Sequence, residues 1–163
     1  MKKIDVSKIN YIVEKIKKQN KYFISPYIEK NMLIDEEIMR TRVFNYEWIV
    51  YENTEKGLIV IIDNPKKPLL INYSEIIYIG ELNYFINNFK ESMSFVEEQI
   101  LNIYKKDVLI FLEDIIYNHK LIEIFKNNSY KKCVELKNEF NRTKDIMIYH
   151  KRLVTGGNNE LRR

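Results

Sequence analysis

Residues 107–153, DVLIFLEDIIYNHKLIEIFKNNSYKKCVELKNEFNRTKDIMIYHKRL, decide the fold class of this chain. Val108 to Leu112 is a continuous apolar run, which is typical of a strand covered on both faces. Apolar residues at helical spacing then predict an amphipathic helix from about His119 to Asn127. Two further strands, Lys131 to Asn138 and Asp145 to Leu153, are predicted to follow around a polar connector.

The residues upstream of this stretch predict helices first and a β-hairpin next. Apolar residues at helical spacing predict an amphipathic helix from Val6 to Phe23, with lysines on its other face. Ser25-Pro26 is typical of an N-cap followed by the first helical residue, so a short second helix is expected there. Asp35 to Met39 is expected to add one helical turn. Tyr46 to Glu52 and Leu58 to Ile62 are β-rich runs that predict a hairpin.

The middle of the chain predicts one more strand and one more helix. A break at Pro65 to Pro68 precedes a strand core at Ile76 to Leu82, because proline cannot donate to a strand ladder. Ser94 to Glu97 has a capping-box sequence, so a helix is expected to begin there. The element order predicts an α+β, or mixed α/β, fold with a central mixed, mostly antiparallel sheet flanked by helices. Val108 to Leu112 should run parallel to Ile76 to Leu82.

Length and composition indicate one globular domain. The chain has 163 residues, 45% of them apolar and 31% charged, which fits a single core and argues against global disorder. We expect residues 1–154 to form this domain and residues 155–163 to be a flexible tail. The lone cysteine, Cys133, is expected to be a buried, unreactive thiol. With no apolar signal-peptide core at the N-terminus, a cytoplasmic protein is expected.

Charge and residue spacing argue against several classes of function. The net charge is +4, and nucleic-acid-binding proteins usually concentrate basic charge more strongly. The lysine cluster at Lys15, Lys17, Lys18 and Lys21 is better explained as a solvated helix face. No apolar run approaches the roughly 18 residues that a membrane span needs. The two histidines have no zinc-type partners at ligand spacing, so no metal site is predicted.

The order of elements in residues 107–153 resembles the C-terminal half of the GNAT N-acetyltransferases. In that family an Asn opens the helix, an aromatic residue near the helix end faces the thioester, and a Gly-Phe pair closes the helix. Asn118, Phe125, Ser129 and Tyr130 hold these places here. Asn118 either bonds the pantetheine arm, as its family counterpart does, or caps the helix. The resemblance implies acetyl-CoA as co-substrate and an amine-bearing small molecule or peptide as acceptor.

The resemblance also implies where acetyl-CoA would bind. The family holds the pyrophosphate on backbone N–H groups of a loop entering a helix, with the pattern Arg/Gln-x-x-Gly-x-Gly/Ala. Laid on this chain without gaps, the pattern puts Phe89 at the Arg/Gln place and Ser92 and Ser94 at the glycine places. A helix N-cap without a ligand is the alternative. Pantetheine is expected in a splay between Ile76 to Leu82 and Val108 to Leu112, which would expose backbone groups.

Candidate catalytic residues follow from the same resemblance. A carboxylate on the central strand commonly acts as general base in this family, and Glu81 holds a matching place, with Glu113 at the end of the next strand as second candidate. A solvated strand-end carboxylate is the alternative for Glu81. The tyrosine that protonates the thiolate corresponds to Phe125, whose simplest role is a packed helix-face aromatic. Tyr117, Tyr130 or a water would then substitute.

The leading functional interpretation is an acyl-CoA-dependent N-acyltransferase that transfers an acetyl group to an amine. One alternative is a catalytically inactive GNAT-fold protein that binds or regulates through protein contacts, which the departures from the family pattern favour. Another is a small inhibitor or mobile-element protein. Fold alone does not decide between them. We also consider that two copies of the chain form a homodimer.

Overall fold

The structure is a computed structural model that describes residues 1–64, 72–136 and 144–154. In chain order its elements are β1 (Lys2–Lys3), α1 (Ile9–Lys18), β2 (Tyr22–Ile24), α2 (Lys30–Leu33), α3 (Glu36–Phe44), β3 (Trp48–Asn53), β4 (Leu58–Asp63), β5 (Tyr73–Gly80), α4 (Leu82–Asn87), α5 (Phe89–Gln99), β6 (Asp107–Glu113), α6 (His119–Asn127), β7 (Lys131–Leu136) and β8 (Ile146–Lys151). Short 3-10 turns precede α1 and α6, and a π-helical turn extends α5.

All of these strands belong to one mixed sheet. The strand order is β1-β3-β4-β5-β6-β8-β7, and β2 pairs with β5 outside this path. Every described strand pair is antiparallel except β5 with β6, which is parallel. The predicted fold, a mixed and mostly antiparallel sheet flanked by helices, is confirmed. The predicted parallel arrangement of the strands that contain Ile76 and Val108 is confirmed as well.

The two faces of the sheet bury separate apolar clusters. On one face α4, α5 and α6 contribute Phe85, Val96 and Phe125 to a cluster that also holds inward-facing strand residues. On the other face α1 and α3 contribute Ile12 and Met39 to a second cluster. Alternate strand residues point to opposite faces, so the same strands contribute to both clusters. The helices therefore form one layer on each side of the sheet.

β5 and β6 diverge soon after their parallel ladder begins. The paired residues are Tyr73, Ser74 and Glu75 of β5 with Asp107, Val108 and Leu109 of β6. The register between β4 and β5 shifts between Ile61 and Ile62, which leaves Ile77 as an extra residue in β5. An extra residue bends the strand that carries it. The C-terminal halves of β5 and β6 thus separate into a fork, the splay that the family resemblance implied.

The β2 strand occupies the edge of β5 inside this fork. It runs antiparallel to residues 78–80, and β4 covers the other edge of residues 78 and 79. Backbone bonds extend the pairing at both ends. The Ser25 N–H donates to the Ile77 carbonyl at 2.9 Å. The Leu82 N–H donates to the Lys21 carbonyl at 3.0 Å. The strand edge opened by the fork is therefore filled by the N-terminal segment of the same chain.

Two predictions for the N-terminal third were wrong. The first helix ends at Lys18 rather than Phe23, because Tyr22–Ile24 pairs with β5 instead of continuing the helix. Ser25-Pro26 does not start a helix either. A turn follows it, and α2 begins only at Lys30. Both errors have one cause, since the local sequence carries no signal of the strand edge that this segment meets.

Two further boundaries differ from the prediction. The helix expected at Ser94 begins earlier, at Phe89. Ser94 lies inside α5 and its hydroxyl donates to the Lys90 carbonyl, a bond typical of a helix interior, so the capping box does not form. The strand core expected to reach Leu82 ends at Gly80, and Leu82 starts α4.

The remaining element predictions are largely confirmed. β3 and β4 form the predicted hairpin, β6 is the apolar strand, and α6 has the predicted bounds. Cys133 is exposed rather than buried, because β7 is an edge strand whose residues are all exposed. Most of the connector 138–144 and the whole tail 155–163 lie outside the described residues. The domain boundary at residue 154 stays a prediction.

Substitution of Ile110 tests whether β6 is a central strand of the sheet. Its side chain is fully buried in the cluster that faces α4 to α6. We expect Ile110→Ala to lower the free energy of unfolding by about 2–5 kcal/mol, because it removes buried atoms and leaves a cavity. Chemical denaturation measures the change, with the exposed Ile103 (53% exposed) changed to Ala as the matched control. A loss below about 1 kcal/mol would contradict a central β6.

Candidate active site at the mouth of the fork

A cavity opens between β2 and the C-terminal end of β6. Its volume is about 360 Å³. Its lining residues are Asn20, Tyr22, Phe23, Ile24, Glu113, Ile115, Tyr117 and Asn118. Tyr117 links the two sides, since its hydroxyl donates to the Tyr22 carbonyl at 3.0 Å. The cavity is bordered by the N-terminal segment on one side and by the turn leading into α6 on the other.

Three of the residues singled out in the sequence, Glu113, Tyr117 and Asn118, line this cavity. Asn118 is buried, and its side-chain N–H donates to the Glu113 carbonyl at 3.0 Å. The Asn118 side chain makes no cap bond to α6, so helix capping is not its role. It instead fixes the turn between β6 and α6. Glu113, at the end of β6, is partly exposed and lines the same space.

Glu81 lies apart from this cavity. It follows β5 in the left-handed conformation, with φ of 55°, and its side chain is exposed. Its neighbour is the turn between β3 and β4, because a Cβ added to Gly57 would lie 3.6 Å from Glu81 Cγ. The structure therefore does not bring Glu81 together with Glu113 and Asn118.

The segment between β5 and α5 is helical rather than an open loop. The α4 helix is followed at once by Asn88 and then by Phe89, the first residue of α5. Ser92 is buried one turn into α5, and Ser94 lies further along the helix. The residues aligned with the phosphate-binding pattern thus lie along one helix instead of in a loop at its N-terminus.

Phe89 and Phe125 belong to a buried aromatic cluster with Phe85 and Tyr130. Ring centroids are 4.9 Å apart for Phe89 and Phe125, and 4.7 Å apart for Phe125 and Tyr130, both in edge-to-face contact. Such contacts add to the stability gained from burying the rings. The cluster joins α4, α5 and the end of α6. Phe125 is fully buried in it and does not line the cavity, as expected for a packed helix-face aromatic.

Side chains as well as backbone bonds hold β2 in the fork. Gln19, just before β2, accepts a hydrogen bond from the Tyr78 hydroxyl and donates to the Gly57 carbonyl at 2.8 Å. Phe23 is buried in the cluster that faces α4 to α6. Gly80 permits this arrangement, because a Cβ there would collide with the Gln19 side-chain amide. The expectation that the fork exposes the backbone of β5 to pantetheine is therefore wrong in this structure.

Among the described carboxyl groups, Glu75 has the pKa most perturbed by its surroundings, and no sequence pattern marked it as a candidate. It lies on β5 where the fork begins. Burial raises the pKa of Glu75 to about 7, the nearby Asp63 adds to the rise, and the Ser25 hydroxyl opposes it. Glu75 Oε2 and Ser25 Oγ have no hydrogen-bond partner of good geometry among the described residues, so the hydroxyl is a neighbour rather than a bonded partner. Only the fold could reveal this burial.

Within residues 1–64, 72–136 and 144–154, no three His, Cys, Asp or Glu side chains are grouped so that they could hold a metal ion. None of the helices in these ranges is long and apolar enough to cross a bilayer.

Comparison with known proteins gave matches among solved structures. A spermidine N-acetyltransferase SpeG chimera from Vibrio cholerae and hSSAT has a TM-score of 0.64 at 13% identity, over 99% of this chain and 97% of that one. A ribosomal-protein-S5-alanine acetyltransferase from Vibrio fischeri has a TM-score of 0.65 at 11% identity, over 92% and 90%. A protein from Desulfovibrio desulfuricans assigned to the GNAT acetyltransferases has a TM-score of 0.63 at 8% identity, over 93% and 97%.

The fold is that of the GNAT N-acetyltransferases. No family model matches the sequence, and no curated protein is significantly similar to it. At these identities the structural matches establish the architecture alone. The GNAT resemblance of residues 107–153 is confirmed at that level. Two features of this GNAT fold depart from what the resemblance implied for the donor site: β2 fills the fork, and the first turns of α5 stand where a phosphate loop was expected.

Glu75 should make the stability of this GNAT-fold protein depend on pH. With a folded pKa of about 7 against an ordinary 4.5, the folded state keeps a proton that the unfolded state has released. The contribution of Glu75 to the free energy of unfolding should therefore be highest below about pH 4.5. It should fall by about 3 kcal/mol as the pH rises from about 4.5 to above 7. Glu75→Gln should abolish this fall and be more stable than wild type at pH 8.

Denaturation curves at several pH values measure this effect. Glu81→Gln is the matched control, because it makes the same chemical change at an exposed carboxylate and should follow the wild type. Parallel pH profiles for wild type and Glu75→Gln would show that the Glu75 carboxyl is not buried in solution.

Proposed function

We propose that this protein is an acyl-CoA-dependent N-acyltransferase that transfers an acetyl group to an amine-bearing small molecule or peptide. The observation that supports this best is the cavity at the mouth of the fork, which combines Glu113, Tyr117 and Asn118. The fold similarity to enzymes named for acetylating spermidine and the alanine of ribosomal protein S5 supports the reaction class. The described chain has no glycine loop for the nucleotide phosphates, so the proposal rests on the cavity.

Each cavity residue has a role in the proposed reaction. Glu113 accepts a proton from the amine as the amine nitrogen bonds to the acyl carbon and the carbon–sulfur bond breaks. The Tyr117 hydroxyl breaks its hydrogen bond to the Tyr22 carbonyl and donates its proton to the departing thiolate, a role that buried Phe125 cannot take. Asn118 is a positioning residue, because its bond to the Glu113 carbonyl holds the turn that carries both groups. Holding the reactants in place supplies much of the expected rate.

Glu113→Gln is expected to lower turnover by at least about 100-fold, because it removes the proton acceptor with little change in shape. Glu81→Gln makes the same change outside the cavity and should keep wild-type turnover. The measurement is an acetyl-transfer assay with acetyl-CoA over polyamines, aminoglycosides, amino acids and peptide N-termini.

Other results of this assay would change the assignment. Loss of turnover in Glu81→Gln, with Glu113→Gln active, would favour Glu81 as the base. Loss of turnover in Glu75→Gln alone would assign the role of general base to Glu75, the buried carboxyl group of β5. Wild-type activity equal to buffer across the whole panel would contradict the enzyme proposal.

A catalytically inactive binding or regulatory protein is the second candidate, and the pairing of β2 with β5 favours it. A ligand that used the β5 edge would have to displace β2. Exposing Phe23 would cost about 1.5–3 kcal/mol, and each lost backbone bond about 0.5–1.5 kcal/mol. A total of about 5 kcal/mol would weaken such a ligand by roughly 10³–10⁴-fold. Titration calorimetry and thermal shift with acetyl-CoA and CoA separate the candidates, since the inactive protein should respond to neither.

The proposed setting is the cytoplasm, and a homodimer is one assembly to test. β7 is an edge strand with Val134 45% and Leu136 39% exposed, and an open strand edge can pair with another chain. Sedimentation velocity over a range of concentrations measures the assembly.

A further inference from the structure

Only one of the two edges of β2 is paired. In an antiparallel ladder, the backbone groups of successive residues point alternately toward and away from the partner strand. The Ser25 N–H donates to the Ile77 carbonyl, so the odd-numbered residues of this segment face β5. The backbone groups of Tyr22 and Ile24 consequently face away from β5.

The unpaired edge of β2 borders the cavity at the mouth of the fork. Tyr22 and Ile24 both line that cavity. The Tyr22 carbonyl already accepts the Tyr117 hydroxyl from the opposite side, which confirms the direction of this edge. Within the described chain, β5 is the one strand paired with β2. The N–H and carbonyl of Ile24 are thus available to a ligand inside the cavity.

We propose that the pantetheine arm of the acyl donor lies along β2 and pairs with the backbone of Ile24, one strand away from β5. This inference rests on the proposed acyltransferase function. An open strand edge recognises an extended chain that carries spaced amide groups, and the pantetheine arm is such a chain. The cavity volume of about 360 Å³ lies in the range of small-molecule sites. Because Glu113 lines the same cavity, the donor and the base share one space.

Ile24→Pro tests this pairing, because proline has no N–H. The substitution removes only the donor that faces the cavity, and proline is tolerated in an edge strand where the N–H points away from the ladder. Ile24→Ala is the matched control, since it loses the same side-chain packing and keeps the N–H. Calorimetric titration should show acetyl-CoA binding about tenfold weaker in Ile24→Pro than in Ile24→Ala.

A second variant keeps the test decisive if Ile24→Pro fails to fold, as judged by circular dichroism. Tyr117→Phe frees the Tyr22 carbonyl for an amide of the arm, so acetyl-CoA binding should tighten a few-fold. Tyr11→Phe changes a tyrosine that does not line this cavity and should leave the affinity unchanged.

The possible outcomes separate this inference from the proposed function. Equal acetyl-CoA affinity in Ile24→Pro and Ile24→Ala, or no change in Tyr117→Phe, would overturn pairing with β2 and leave the acyltransferase proposal standing. No acetyl-CoA binding by the wild type, together with no acetyl transfer, would overturn both.

Discussion

The central strand β5 has two edges, and the hydrogen-bonding groups on each edge need partners once they are removed from water. β4 covers one edge along most of the strand. The other edge is shared, with β6 on its first residues and β2 on its last. The extra residue Ile77 bends β5 where one partner gives way to the other. This division of one strand edge between two partners determines the path of the N-terminal segment and the position of the cavity.

The division of the β5 edge also changes where chemistry can occur. In an open fork the backbone of the central strand would be the natural place for a ligand that pairs with a strand. Here Phe23 and the backbone of residues 22–24 take that place and join the core. The cavity lies on the side of β2 that faces away from β5, between β2 and the turn that Asn118 holds. Glu113 and Tyr117 line this space together, because both lie at the junction of β6 and α6 that forms its wall.

The sequence predicted elements well where their signals are local. The apolar run of β6 and the helical spacing of α6 are complete within a few residues, and both were placed correctly. Non-local effects were missed. Tyr22 to Ile24 continues a helical pattern, and only the open edge of β5, more than fifty residues away in the chain, makes it a strand. The serine and glutamate at positions 94 and 97 fit a capping box by spacing, yet the apolar spacing upstream lets the helix begin earlier.

The candidate site was predictable only in part, for the same reason. Glu113 and Asn118 flank a strand–helix junction that the sequence marks clearly, and they lie in one cavity. Glu81 follows a strand that ends sooner than predicted, so it points toward the β3–β4 turn. The perturbed pKa of Glu75 depends on burial against segments distant in sequence, which no local pattern records.

Gly80 carries an evolutionary consequence. Any side chain there would displace the Gln19 amide from its bonds to Tyr78 and Gly57, which hold the start of β2. A single nucleotide change in a glycine codon is enough to introduce one. Such a step would release the Gln19 amide but leave the backbone pairing of β2 with β5, so this side-chain anchor of the filled fork is open to mutational loss without any change in the sheet.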